Sequence, residues 1–250
     1  MKIIQIKKLA TLFLVVMTMS VTAQNNVTKV AAFNKVIVSP HIQVTFIEGE
    51  TESVTIESST IEKHKINVEV SGKTLRVYLE GAKEYTKSEK TNKNGYKQRK
   101  SIYKGTVVKA TVTYKKIEEL SLRGEETIVC KSLLKQNKLR LKIYGESQVF
   151  LNDTDLKDLH ATIYGESFLE LKTGSVENLK ITAYGETTIN TLGIKNDNTK
   201  ITAYGEGSYR VQVSKRLKVT AYGEATVAYQ GNPELDKGII IGEATIQKIK

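Results

Sequence analysis

Two kinds of side chain recur in this chain at a spacing that could do chemistry. Glutamates follow a glycine at Glu125, Glu146, Glu166, Glu186, Glu206, Glu224 and Glu243, and tyrosines precede the same glycines at Tyr144, Tyr164, Tyr184, Tyr204 and Tyr222. From Gly124 to Gly242 the glycines stand 21, 20, 20, 20, 18 and 19 residues apart. If equivalent residues stack, neighbouring carboxylates lie roughly 5 Å apart. Each such pair repels by ~1 kcal/mol in water. Splaying into solvent, nearby cations, or raised carboxyl pKa values would relieve the repulsion. So would Ca²⁺ held by Glu146, Glu166, Glu186, Glu206 and Glu224, because hard cations take clustered carboxylate oxygens. The tyrosines would form an aromatic stripe. Stacked rings pack well for their own sake. An exposed stripe with Thr, Lys and Glu beside it would also suit a sugar or a protein surface.

The elements that must position these columns are strands. Two and four residues before each glycine stand aliphatics, such as Ile143 and Leu141, Ile163 and Ala161, Ala183 and Ile181, Ala203 and Ile201. One, three and five before stand Tyr, Thr and Lys, such as Tyr204, Thr202 and Lys200. Alternation of period two marks a half-buried strand. After the glycine a second strand resumes with Ile128, Val149, Leu169, Ile189, Tyr209 and Val227 inward. The rest of each coil, as in Asn152-Asp153-Thr154-Asp155 and Lys195-Asn196-Asp197-Asn198, reads as turns. A fixed period of about 20 residues means stacked coils. The expected fold is all-β: a parallel β-solenoid, right-handed by default. Leucine-rich repeats are excluded, since neither their Asn-punctuated Leu spacing nor a helix per repeat is present.

Residues 115–250 carry the regular repeats. Residues 27–114 are less regular but β-rich, and are expected to form early coils or a cap over one end, with a hairpin turn at Ser71-Gly72-Lys73. Residues 1–23 read as a cleaved signal peptide: Lys2, Lys7 and Lys8, an apolar run from Leu9 to Val21, then Val21-Thr22-Ala23. The mature chain, residues 24–250, reads as one domain with no transmembrane segment. It is expected in the periplasm, on the outer surface, or outside the cell.

The chain has 38 Lys+Arg against 27 Asp+Glu, a formal charge of +11, or +8 without the three leader lysines. A basic balance suits anionic partners, and export argues against nucleic acid. Residues 82–104 hold eight Lys/Arg against two Glu and read as a solvated loop or disordered insertion. One cysteine, Cys130, permits no intrachain disulfide and falls at an inward position. With three histidines besides, neither zinc binding nor Cys-His catalysis is expected.

The layout resembles the family described as putative auto-transporter adhesin, head GIN domain, of exported Bacteroidetes-type proteins. The resemblance rests on an ordered set of motifs. They are Phe33-Asn34-Lys35-Val36-Ile37-Val38 with Ile42-Gln43-Val44, then Val107 to Thr113 leading into Leu120-Ser121-Leu122-Arg123-Gly124, then the Gly-centred repeats, and finally Val227-Ala228-Tyr229-Gln230-Gly231-Asn232-Pro233. The family usually places Gly-Ser-Gly at the repeat turn, whereas Glu follows Gly throughout this chain. The resemblance implies an envelope β-solenoid with adhesion as its expected role; separately, no cofactor is expected. Catalytic groups are normally exceptions to a repeat, and these glutamates belong to it, so no enzyme is expected. A glycan or a surface protein is the expected partner. The alternatives are a Ca²⁺-dependent or polysaccharide-binding envelope protein and, third, a polysaccharide-degrading enzyme using paired carboxylates.

Overall fold

The computed structural model describes residues 26–93 and 96–250, so the expected signal peptide lies outside the described residues. The early chain forms β1 (Asn26–Lys29), β2 (Lys35–Val38), β3 (Ile42–Glu48), β4 (Ser53–Ser59), β5 (Ile66–Ser71), β6 (Thr74–Leu79), β7 (Ser88–Lys93), β8 (Tyr96–Ser101) and β9 (Val108–Tyr114). It makes both coils and a cap. Strand β2 pairs in parallel with β6, and β3 in parallel with β9. The cap is antiparallel: β4 runs along β9, β1 along β4, and β5 along β6 through the Gly72-Lys73 turn. These reversed strands cover edges that would otherwise offer free backbone groups. Residues 82–104 are not irregular: β7 and β8 form a two-stranded antiparallel hairpin, a sheet of its own.

The repeats form β10 (Glu119–Gly124), β11 (Thr127–Gly145), β12 (Gln148–Tyr164), β13 (Phe168–Tyr184), β14 (Thr187–Thr191), β15 (Lys195–Gln212), β16 (Arg216–Gln230) and β17 (Glu234–Lys248). All pair in parallel with like columns opposed: Tyr144 faces Tyr164, Tyr164 faces Tyr184, Tyr184 faces Tyr204, and Tyr204 faces Tyr222. The first repeat stacks on the early coil, with β10 on β2 and β11 on β3. One core runs through the stack from Phe33 to Val227. Its inward columns include Leu122, Ile143, Ile163, Ala183, Ala203 and Ala221, all essentially without solvent contact. Among the described residues no helix is long and apolar enough to cross a membrane.

The segments expected to be turns are largely strand. Leu134 pairs with Thr154 and Gln136 with Leu156, so this third side of the coil also carries a parallel ladder. The charged residues there face outward while Leu134, Thr154, Leu156 and Val176 are buried. Asn196 and Thr199 replace aliphatics on this side and satisfy each other. The Thr199 hydroxyl donates to the Asn196 side-chain Oδ1, and Asn196 Nδ2 donates to the Val176 backbone carbonyl at 2.8 Å. A buried polar pair is tolerated only when bonded in this way.

The glycines turn each corner. All seven have φ between 104° and 126°, a region that side chains avoid. Coils also approach closely there: a Cβ on Gly145 would lie 2.4 Å from the Gly124 carbonyl oxygen. Two residues on, Ser147 and Ser167 are buried and donate to the carbonyls of Gly124 and Gly145, at 2.8 and 2.9 Å. These hydroxyls tie one coil's corner to the next.

Candidate binding face

The strand before each glycine corner turns its −2 and −4 residues inward, so its −1, −3 and −5 residues share one outer face. The −1 column is a stack of five tyrosines. Successive centroids are 5.1, 4.8, 4.8 and 4.9 Å apart, with planes within 3–5° of parallel. Tyr164, Tyr184 and Tyr204 remain 40, 38 and 38 % exposed. They stack on one another yet keep ring faces and edges at the surface. None of the five hydroxyls has a hydrogen-bond partner among the described residues.

The lower end of the stack is capped by charge. The Arg123 guanidinium lies 5.1 Å from the Tyr144 centroid, a cation–π contact. Glu84 holds it there from the foot of the hairpin insertion, bridging Arg123 at 3.9 Å and Arg76 at 3.6 Å. Below Arg123 the register interposes the buried Ser39, and Tyr78 stands beneath that, apart from the stack, with Lys83 4.5 Å from its centroid. Spacing along the sequence did not reveal Tyr78, because β6 follows β2 in the chain but lies beneath it in the stack.

Beside the tyrosines run Thr162, Thr182, Thr202 and Thr220, half-exposed and opposed in register. Their hydroxyls have no partner among the described residues. The next column is Arg140, His160, Lys180, Lys200 and Lys218, again in register. Burial, and then the neighbouring Lys138, Lys180 and Arg140 charges, hold the His160 imidazole below the ordinary histidine range, with Asp158 opposing.

The seven glutamates after the glycines are all exposed. Where strand pairing reaches them, Glu206 opposes Glu224 and Glu224 opposes Glu243. Among the described residues, no three His, Cys, Asp or Glu side chains converge as a metal ion requires. Glu146, Glu166, Glu186, Glu206 and Glu224 have no ion-pair partner among the described residues. Sequence columns missed a different carboxylate, Glu126, which is buried beneath the first glycine corner. It accepts the Glu125 backbone N–H at 3.0 Å and lies 4.0 Å from His41 Nδ1. Burial raises its pKa, opposed by that hydrogen bond and by His41. His41, at φ 71°, holds both feet of the hairpin insertion, contacting the Gly105 carbonyl at 2.7 Å and the Thr86 hydroxyl at 2.6 Å.

The fold and this face define a parallel β-solenoid with an ordered, exposed aromatic ladder. The model of the family described as putative auto-transporter adhesin, head GIN domain, matches residues 32–233, and the chain belongs to that family. Three solved structures are similar. A putative adhesin from Bacteroides fragilis has 16 % identity and a TM-score of 0.71, over 90 % of this chain and 96 % of its own. A putative adhesin from Parabacteroides merdae has 18 % identity and a TM-score of 0.63, over 90 and 95 %. A putative lipid binding protein from Parabacteroides distasonis has 19 % identity and a TM-score of 0.65, over 91 and 96 %. At such identities the likeness concerns the fold. Comparison with curated proteins gives no match.

Proposed function

We propose that this is a non-catalytic, exported binding protein of the cell envelope, and that the face carrying Tyr144, Tyr164, Tyr184, Tyr204 and Tyr222 contacts a glycan or a surface protein. The observation that carries the reading is the tyrosine stack: five near-parallel rings, the middle three about two-fifths exposed. Rigid aromatic surface costs little conformational entropy to bind, and unpartnered hydroxyls beside it supply orientation. The adhesin descriptions of the family and of the solved structures similar in fold support a binding role. The glutamates repeat with every coil and none lies in an enclosed cleft, which supports a role without catalysis.

A glycan and matrix-protein array with and without Ca²⁺ tests this. The parent is expected to bind one ligand class saturably. The Tyr164→Ala, Tyr184→Ala, Tyr204→Ala triple variant is expected to lose that binding while keeping its β-sheet circular dichroism. A matching Tyr→Leu variant keeps the column filled and separates ring chemistry from packing. Undiminished binding by a folded triple alanine variant would move the site off this face. Binding lost in chelator would assign the glutamate ladder to Ca²⁺.

A further inference from the structure

Three columns share the binding face and differ in what they demand of a ligand. Tyrosines ask for flat ring faces, threonines for hydroxyls or other hydrogen-bonding groups, and the outer column for negative charge. Columns two residues apart along a strand are separated by about 6.7 Å, and equivalent residues on adjacent coils by about 4.8 Å. The face therefore repeats the same three demands at every coil.

The cationic column is unevenly neutralised. At its lower end Arg140 lies 3.9 Å from Glu119, and at its upper end Lys218 and Arg216 both lie 2.9 Å from Asp236. Asp158, the acid nearest His160 along its strand, accepts from Asn178 at 3.1 Å, and Asn198 in turn donates to Asn178 at 3.0 Å. Lys180 and Lys200, in the middle, are exposed and have no ion-pair partner among the described residues. They stand in register, each alongside an unpartnered threonine and an exposed tyrosine. Like charges held one coil apart repel, and an external anion relieves that repulsion at every step.

Resting on the binding face proposed above, we propose that its ligand is a linear acidic polysaccharide. The polymer lies along the solenoid axis, with sugar rings against the tyrosines, hydroxyls at the threonines, and its carboxylates or sulfates on Lys180 and Lys200. One sugar step in an extended chain is close to one coil. Duplex nucleic acid matches less well, with its phosphates only about 3.4 Å apart along each strand. An anionic membrane presents charge but no rings to stack.

Calorimetric titration of the purified protein tests this against polygalacturonate, dextran sulfate, neutral dextran, single-stranded DNA and phosphatidylglycerol vesicles. The expected result is binding to one or both acidic glycans at least tenfold tighter than to dextran, DNA or vesicles. Which of the two binds tells carboxylate from sulfate. The Lys180→Gln, Lys200→Gln variant is expected to weaken acidic-glycan binding at least tenfold. It should also flatten the dependence of log affinity on log salt by between one and two units, since the slope counts neutralised charges. Lys90→Gln, Lys100→Gln in the hairpin, outside the three columns, is the control expected to bind as the parent does. Equal affinity for dextran and the acidic glycans overturns the ligand class but leaves the tyrosine face as a binding site. Equal or tighter binding to DNA or vesicles overturns it in favour of a generic anion surface. Parent-like affinity in the Lys180/Lys200 variant overturns the role of the ladder. No binding to any probe overturns both this proposal and its application to glycans.

Discussion

Two glycines on neighbouring coils separate the reasons a corner needs glycine. Gly165 and Gly185 have φ of 110° and 104°, so alanine meets similar backbone strain at either, about 1–3 kcal/mol. Their surroundings differ. A Cβ on Gly165 would lie 2.4 Å from the Gly145 carbonyl oxygen, whereas one on Gly185 would lie 3.1 Å from the Gly165 oxygen. The first overlap is with backbone, which can yield only by moving one coil against the next. The Gly145 oxygen is further tied by the Ser167 hydroxyl at 2.9 Å. Forcing extra atoms into packed structure costs about 1–3 kcal/mol. Gly185→Ala is therefore expected to lose about 2 kcal/mol and Gly165→Ala about 4 kcal/mol, the sums of these central values. Urea unfolding followed by circular dichroism reads the difference directly, provided both variants keep the parent m-value. Equal losses at the two sites would refute the argument that coil approach, beyond φ, selects glycine. Because Tyr164 precedes Gly165, the same displacement should also disturb the ring stack and weaken ligand binding more in Gly165→Ala than in Gly185→Ala.

Four further outcomes follow from buried groups. Tyr209 is 1 % exposed, its hydroxyl has no partner, and burial drives its pKa upward. Tyr209→Phe is therefore expected to stabilise the fold by about 1 kcal/mol in urea melts. Gly207→Ala should destabilise it in the same melts, because the new Cβ would lie 2.5 Å from the Tyr209 hydroxyl oxygen and 2.7 Å from its ring. Cys130 is fully buried and its thiol is pushed up to about 12. It should resist an aromatic disulfide reagent in the native state and react fully in denaturant. Burial raises the Glu126 carboxyl pKa above its unfolded value, so the folded chain holds that proton more tightly. Its contribution to stability is greatest at low pH and is lost as pH rises through the folded pKa. Glu126→Gln should abolish that decline, giving a flatter stability profile above about pH 4.3 and a pH 7 midpoint no lower than the parent's. A variant that falls steeply at pH 7 would show that the charge is needed by His41.

The regular half of the molecule was legible because its information is local. Alternation over five residues assigns inward and outward columns, and a repeat near 20 residues aligns them, so the tyrosine, threonine, lysine and glutamate ladders follow from counting. The same counting placed Cys130 in the core. It misread the polar third side, because Asn152 to Asp155 and Lys195 to Asn198 have turn composition. Parallel pairing with neighbouring coils overrides that preference and makes them strand. It also read residues 82–104 as irregular, since charge-rich segments lack an apolar stripe. Cross-strand backbone bonds between β7 and β8 give a hairpin all the same.

What the sequence by itself determined is the coil: its length, its glycine corner, and which side chains face out. The tertiary structure alone decided the order of the early coils, with β2 and β3 lying between the first repeat and the later-written β6 and β9. It alone decided that Lys180, Lys200 and the four threonine hydroxyls lack partners among the described residues, while Arg140 and Lys218 find carboxylates at the ends of the column. It also brought His41 and Glu126 together across 85 positions of chain. The reason is range. A strand's own alternation is set by neighbouring dihedrals, whereas which charges are answered depends on residues far away in sequence that only stacking brings within a few ångströms.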